Sequence, residues 1–480
     1  MVKTDSALLN RVFEIFKELT LIPHGSGNMD GIAEYVQDFA KNIGLKVIRD
    51  EANNVVIFKS ATKGYENADA VILQGHLDMV CQAKADYGID FEKDGLEIYV
   101  DGDFIKAEGT TLGADNGIAV AYVLAILESD EVPHPKIEAV FTTDEEIGMI
   151  GAGKLDISVL TAKKMINLDS EEDDTLTVSC AGGSELLCTL NGEKKFVGGS
   201  TVTVTLDGLL GGHSGVEIDK GRTNSNILAG KLLKALENEE FSLISVDGGD
   251  KSNAITNRTT VVLYSDCPDA LKASAEKILS SYKSEIAKTE PGFLYSVKIE
   301  KAEKIEIFSQ ELKNRVISFL LNTPNGVIKM SEEVAGLVET SLNLGILVTE
   351  NNSVRAQFSL RSNKAASLSL LKSNLSDFCK ALDGEVKTFG HYPPWEFKKD
   401  SKLQELYKQC YEYLNGEKPK VEAIHAGLEC SVFASKIKDL DCIAMGPSLF
   451  DVHTYNEKLC ISSAKKTFLL LLDILKKSNS

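Results

Sequence analysis

The chain has 480 residues, 43% hydrophobic and 26% charged, enough for about three domain-sized units and a sizeable core. Its net charge of −19 leaves no basic surplus for phosphates and argues against nucleic-acid binding. No apolar run approaches the ~18 residues of a membrane span, and nine dispersed cysteines without a C-x-x-C pair read as reduced thiols of a cytoplasmic protein.

The first 20 residues have the pattern of an amphipathic helix, with Thr4 or Asp5 as its cap, and lack the apolar stretch of a signal peptide. A second helix ends at Gly44. "LKVIRDEANNVVIFKS" reads as a hairpin turning at Asn53-Asn54. "AVILQGHLDMV" is a buried strand, "NGIAVAYVLAILES" an apolar helix, and "IEAVFTTDEE" and "KKMINLDSEE" are further strands. Helices alternating with buried strands predict an α/β layered domain.

Near residue 185 the texture changes to two sets of alternating strands and amphipathic helices, each resembling a small α+β sandwich. Beyond "HYPPWEF" (391–397) the α/β texture returns. The predicted organisation is a catalytic domain in two segments, 1–184 and 396–480, with a two-lobed α+β lid, 185–395, inserted between them.

Polar residues gather where these strands end. His76 and Asp78 close one strand, Asp115 precedes the apolar helix, Glu145 and Glu146 close another strand, Asp169 a third, and His453 follows "LDCIAMGP". Singly, each has an ordinary explanation: a helix cap, a solvated acidic pair, a loop histidine. Together, two imidazoles and several carboxylates beyond strand C-termini suit zinc or a similar ion, and a shared carboxylate would suit a two-metal hydrolytic site.

The motifs "GHLDMV", "GTTLGADNGIAVA", "TTDEEIGMIGA", "INLDSEE" and "GGHSG", in this order, resemble the di-zinc metallopeptidase family that includes carnosinases and aminoacylases, and within it a dipeptidase branch. The resemblance covers essentially the whole chain. It implies a zinc-peptidase-like α/β catalytic domain with the inserted lid, and two divalent ions per chain, zinc foremost, with manganese or cobalt as alternatives. His76 and Asp169 would hold one ion and Glu146 and His453 the other, with Asp115 bridging. Asp78 would accept the His76 imidazole N–H from the same strand face, as a residue that orients a ligand. Glu145 would be the general base for attack of a metal-bridging hydroxide.

In the lid, the resemblance implies that His213 stabilises the tetrahedral oxyanion, with Asn253 beside it. Arg361 would grip the substrate carboxylate, and Glu429 is a candidate for the free α-amino group. The expected activity is hydrolysis of dipeptides with a free N-terminus, including Xaa-His and β-alanyl-histidine. An aminopeptidase or an N-acyl-amino-acid deacylase is the alternative, and a catalytically dead scaffold a third reading. The expected partner is a small peptide, with no nucleic acid and no membrane, and the expected assembly a homodimer, with a monomer as the alternative.

Overall fold

Two compact units divide the chain. One comprises Met1–Cys180, Phe397–Ala423 and Leu428–Ser480, and the other Ala181–Glu396 with the short return Ile424–Gly427. The structure is a computed structural model describing residues 3–334 and 336–479, with side chains from Ala7 onward. The N-terminal helix is Lys3–Thr20, and the side chains of Thr4 and Asp5, expected to cap it, lie outside the described residues.

The first unit is built on an eight-stranded sheet. Its order is Lys46–Arg49, Val55–Lys59, Ile137–Thr142, Val71–His76, Lys164–Asn167, Asp441–Ala444, Thr175–Cys180, Lys420–Ile424. The third to sixth strands run parallel. Strands buried on both faces read as unbroken apolar runs, and every residue of Val71–His76 and Ile137–Thr142 is buried. The helix Ala114–Glu128 is buried around its whole circumference from Ile118 to Leu127, as its uniformly apolar sequence requires. Its Tyr122 stacks on Phe468 of the helix Ile461–Lys477 at 5.2 Å and donates to the Ala464 carbonyl at 2.8 Å. The first and last segments of the chain therefore share one core.

The hairpin forms between Lys46–Arg49 and Val55–Lys59. Asn53 adopts φ 68°, and the Asp50 carboxylate accepts the Ala52 and Asn54 N–H groups. A small four-stranded sheet was not apparent from the sequence. It joins Ile98–Asp101 and Phe104–Ala107 to Leu449–Phe450 and Lys458–Cys460, strands too short to show a period.

The second unit holds a nine-stranded antiparallel sheet, eight of whose strands belong to two β-α-β-β-α-β lobes, while the ninth, Gly326–Met330, pairs with Val338–Glu350. One runs Lys194–Asp207, helix Ser225–Ala235, Ser242–Gly248, Thr259–Ser265, helix Pro268–Glu285, Leu294–Phe308. The other runs Gly182–Asn191, helix Gln310–Asn322, Val338–Glu350, Ser353–Ser362, helix Ala365–Ala381, Gly384–Tyr392. In both, the fourth strand of the lobe lies outermost, followed by the first, third and second, and the two second strands meet through Gly248 and Leu347. The sequence pattern suggests consecutive lobes, and the structure shows that they are not. The first strand of the outer lobe, Gly182–Asn191, precedes the inner lobe, which is inserted into it.

Candidate metal centre

The parallel strands deliver their polar residues to one end of the sheet, the position where open α/β sheets place their sites. His76 is the last residue of its strand, in register with Thr142. Past Thr142 the chain turns tightly, with Asp144 at φ 53°, and carries Glu145 and Glu146. Asp169 lies just beyond Lys164–Asn167, and His453, at φ 61°, lies in the loop between two strands of the small sheet.

Asp115 is the hub. Its Oδ1 lies 3.1 Å from His76 Nε2, which is 3.4 Å from Asp169 Oδ1. Its Oδ2 lies 3.3 Å from His453 Nε2, which is 2.9 Å from Glu146 Oε1. One carboxylate thus faces two sets of donors, one with each oxygen. Ligand atoms of His76, Asp115 and Glu146 lie within 4.8 Å of one another, so the two sets adjoin.

Asp78 meets His76, but not from a shared strand face. The strand stops at His76, so the two residues share no strand face. His76 Nδ1 donates to the Asp78 carbonyl at 3.0 Å, with the carboxylate farther off at 3.4 Å. A proton on Nδ1 leaves the Nε2 lone pair free for a cation. The Asp78 carboxylate also accepts the N–H groups of Glu145 and Glu146 at 3.0 and 3.2 Å and the Ser26 hydroxyl at 2.8 Å. It holds the turn that carries both glutamates.

Electrostatics follow from crowding carboxylates in a buried place. Burial opposes a charge on His76, yet Asp169, Asp115 and Asp78 raise its pKa well above the ordinary value. Hydrogen bonds to Asp115 and Glu146 push His453 up to about 11. Burial lifts Asp169 to about 8. It also lifts Glu145 well above the carboxylate range, with Asp169, Glu429 and Glu146 adding to the effect. Asp115 shifts the other way, because the two imidazoles outweigh its burial. Imidazole nitrogens and carboxylate oxygens in such an anionic pit are the donor set of zinc and similar divalent ions. These residues fit two such ions sharing Asp115. The Glu145 carboxylate makes no hydrogen bond or ion pair among the described residues, which leaves it available for proton transfer.

Three supports were missed from the sequence. Glu457, in the loop after His453, accepts the N–H groups of Leu112, Gly113, Ala114 and Asp115 at 2.7 to 3.4 Å. Asn116 donates to Asp169 Oδ1 at 2.9 Å and to the Leu168 carbonyl at 3.0 Å, and accepts the His76 N–H at 3.3 Å. A Cβ at Gly75 would stand 2.4 Å from its oxygen, so glycine is required there. Below His76, Gln74 and Thr142 donate to Glu429 Oε2, and Asn167 donates to Gln74. Glu429 is fully buried and its other oxygen has no partner among the described residues. This enclosure disfavours the direct contact with a substrate ammonium expected of it. Burial raises its pKa to about 7.

The remaining candidates belong to the second unit. His213 pairs with Ala254 across a short ladder, and the Asn253 carbonyl accepts the Ser214 N–H at 2.8 Å, which puts Asn253 next to it in the backbone. His213 Nδ1 accepts the Gly215 and Val216 N–H groups at 3.3 and 3.2 Å, which assigns its proton to Nε2. Burial, with Arg361 adding, lowers its pKa. His425, which the sequence reading passed over, hydrogen-bonds Ser341 at 2.7 Å and Asn363 at 3.1 Å. Arg361 is 8% exposed. It donates to the Tyr392 hydroxyl at 3.0 Å, its Nε has no partner, and it forms no ion pair among the described residues.

The model of "Peptidase family M20/M25/M40" matches residues 72–477. The chain is 36% identical over 470 residues to the cytosol non-specific dipeptidase of Escherichia coli (strain K12), covering 97% of each. It superposes on the crystal structure of aminoacylhistidine dipeptidase from Vibrio alginolyticus with a TM-score of 0.90 and 34% identity, covering 97% of this chain and 96% of that one. Human carnosine dipeptidase 1, at 13% identity and a TM-score of 0.52 over 99% of this chain and 98% of that one, shares the fold.

Proposed function

The chain belongs to peptidase family M20/M25/M40, and on that premise we propose that it is a dipeptidase using two divalent ions, zinc foremost, to cleave dipeptides with a free N-terminus. The observation that carries this reading is Asp115, with one oxygen beside His76 and the other beside His453. His76 and Asp169 would hold one ion, Glu146 and His453 the other, and Asp115 both. When bound, such ions acidify water and polarise a carbonyl.

The chain's own residues perform the proton and charge chemistry. Glu145, buried and raised in pKa, takes a proton from the attacking water and returns it to the leaving amine. His213, held neutral with its proton on Nε2, donates to the oxygen that becomes negative. Arg361, buried without a counter-ion among the described residues, supplies the charge that a substrate carboxylate completes; an unpaired buried charge is costly until such a partner arrives. The name of the E. coli relative supports a cytosolic location, and no helix among the described residues is long and apolar enough to cross a membrane.

The test is a substrate panel on one preparation with metal content measured alongside. Two ions per chain, loss of activity with a chelator, and rapid cleavage of dipeptides but slow cleavage of tripeptides and N-acetyl amino acids are expected. Efficient cleavage of tetrapeptides or of N-acetyl amino acids would replace this reading with an aminopeptidase or a deacylase.

A further inference from the structure

A cavity of about 490 Å³ opens on the sheet of the second unit, with Arg361 and Glu185 in its wall. In register, Arg361 lies opposite Gly183, and Ser359 opposite Glu185. Residues two apart on a strand share a face and lie about 7 Å apart along it. Arg361 and Glu185 therefore project from the same face on neighbouring strands, a cation and an anion offset by roughly that length. Glu185 is half-buried. Its one hydrogen bond comes from Gln357 Nε2 at 3.3 Å, and no cation pairs with it among the described residues. Asp250 and Lys251, both exposed, lie at the same cavity and offset each other.

This rests on the dipeptidase reading, in which Arg361 receives the C-terminal carboxylate. We propose that Glu185 receives the side chain of that same C-terminal residue and selects a cationic one. With the α-carboxylate at Arg361, a lysine or arginine side chain is long enough to span the offset and bring its charge to Glu185. A short apolar side chain leaves Glu185 unengaged, and an acidic one meets like charge. The site thus reads the terminal residue at two points, its carboxylate and its side-chain charge.

The experiment compares Ala-Lys, Ala-norleucine and Ala-Glu, which differ in terminal charge, on the metal-loaded enzyme. Ala-Lys should exceed Ala-norleucine in kcat/KM by about tenfold, the factor that ~1.4 kcal/mol confers, with Ala-Glu the poorest. E185Q should bring the lysine-to-norleucine ratio close to one, and E185K should move the preference toward Ala-Glu. A wild-type ratio near one, with all three dipeptides cleaved, would overturn this proposal and leave the dipeptidase reading standing; it needs no variant to fold. A wild-type preference for lysine that persists in a folded E185Q would overturn the assignment to Glu185. Cleavage of no dipeptide at all would overturn both readings.

Discussion

The carboxylate of Glu457 holds the backbone N–H of Asp115 from 342 positions away, together with the three N–H groups before it. Four consecutive donors converge on one buried side chain, so the loop that presents Asp115 has a single orientation. Burial raises the pKa of Glu457 to about 7, while the N–H groups pull the other way.

Replacing Glu457 should therefore loosen the hub without removing a ligand. E457Q substitutes a donor for one acceptor oxygen and should weaken metal binding by about 10–100-fold, the usual effect of losing a group that orients ligands. Metal titration followed calorimetrically checks this. Unchanged affinity in a folded E457Q would mean the loop keeps its shape unaided.

Glu145→Gln should retain both ions and lose about 10²–10⁴ in kcat, the range for a general base. Asp115→Ala should lower metal content more than His76→Ala, since Asp115 borders both donor sets. Metal analysis beside turnover separates the two effects. Near-normal turnover in the glutamine variant would remove Glu145 from the proton path.

Arg361→Ala should impair dipeptides strongly and dipeptide amides little, because the amides lack the carboxylate. Arg361→Lys should restore only part of the loss, since an ammonium cannot reproduce the paired N–H geometry of guanidinium. Steady-state kinetics on matched acid and amide substrates decide it. Equal losses on both would assign Arg361 a structural role.

His425 carries a pH expectation. Burial, with Arg361 adding, lowers its pKa to about 3 in the folded chain, against ~6.5 unfolded. Between those values the unfolded state binds the extra proton, so stability rises with pH across that window and is lost as pH falls from about 6.5 toward 3. Three and a half units correspond to on the order of 5 kcal/mol. Denaturant unfolding of wild type and His425→Gln at pH 7 and pH 4.5 should show a smaller acid loss in the variant. Equal acid losses in both would mean that His425 does not set the trend.

The residues gathered at the sheet end are those whose type and position stand out in the sequence: histidines and carboxylates just beyond apolar runs. What supports them was less legible. Asp78 is read from strand alternation, but its strand ends two residues earlier; it reaches His76 through its carbonyl as well as its carboxylate and holds the turn beyond Thr142. Glu457 is a lone acid in a loop, and nothing local shows four N–H groups from residues 112–115 closing on it. Glu429 was noticed as a charge, but only packing reveals its burial against Gln74 and Thr142. Period is a local signal and pairing is not. The strand pattern of residues 182–191 therefore could not announce that its partner lies beyond a complete lobe.

That interleaving sets the order in which the second unit can be made during synthesis. Gln357 donates to Glu185 across paired strands although the two are 172 positions apart. As the chain leaves the ribosome, Gly182–Asn191 emerges with no lobe partner, and all of residues 194–308 follow before any appears. The inner lobe is complete by Phe308, whereas the outer sheet must wait for Ser353–Ser362. Until then an alternating apolar strand stands unpaired, open to wrong partners and to chaperones.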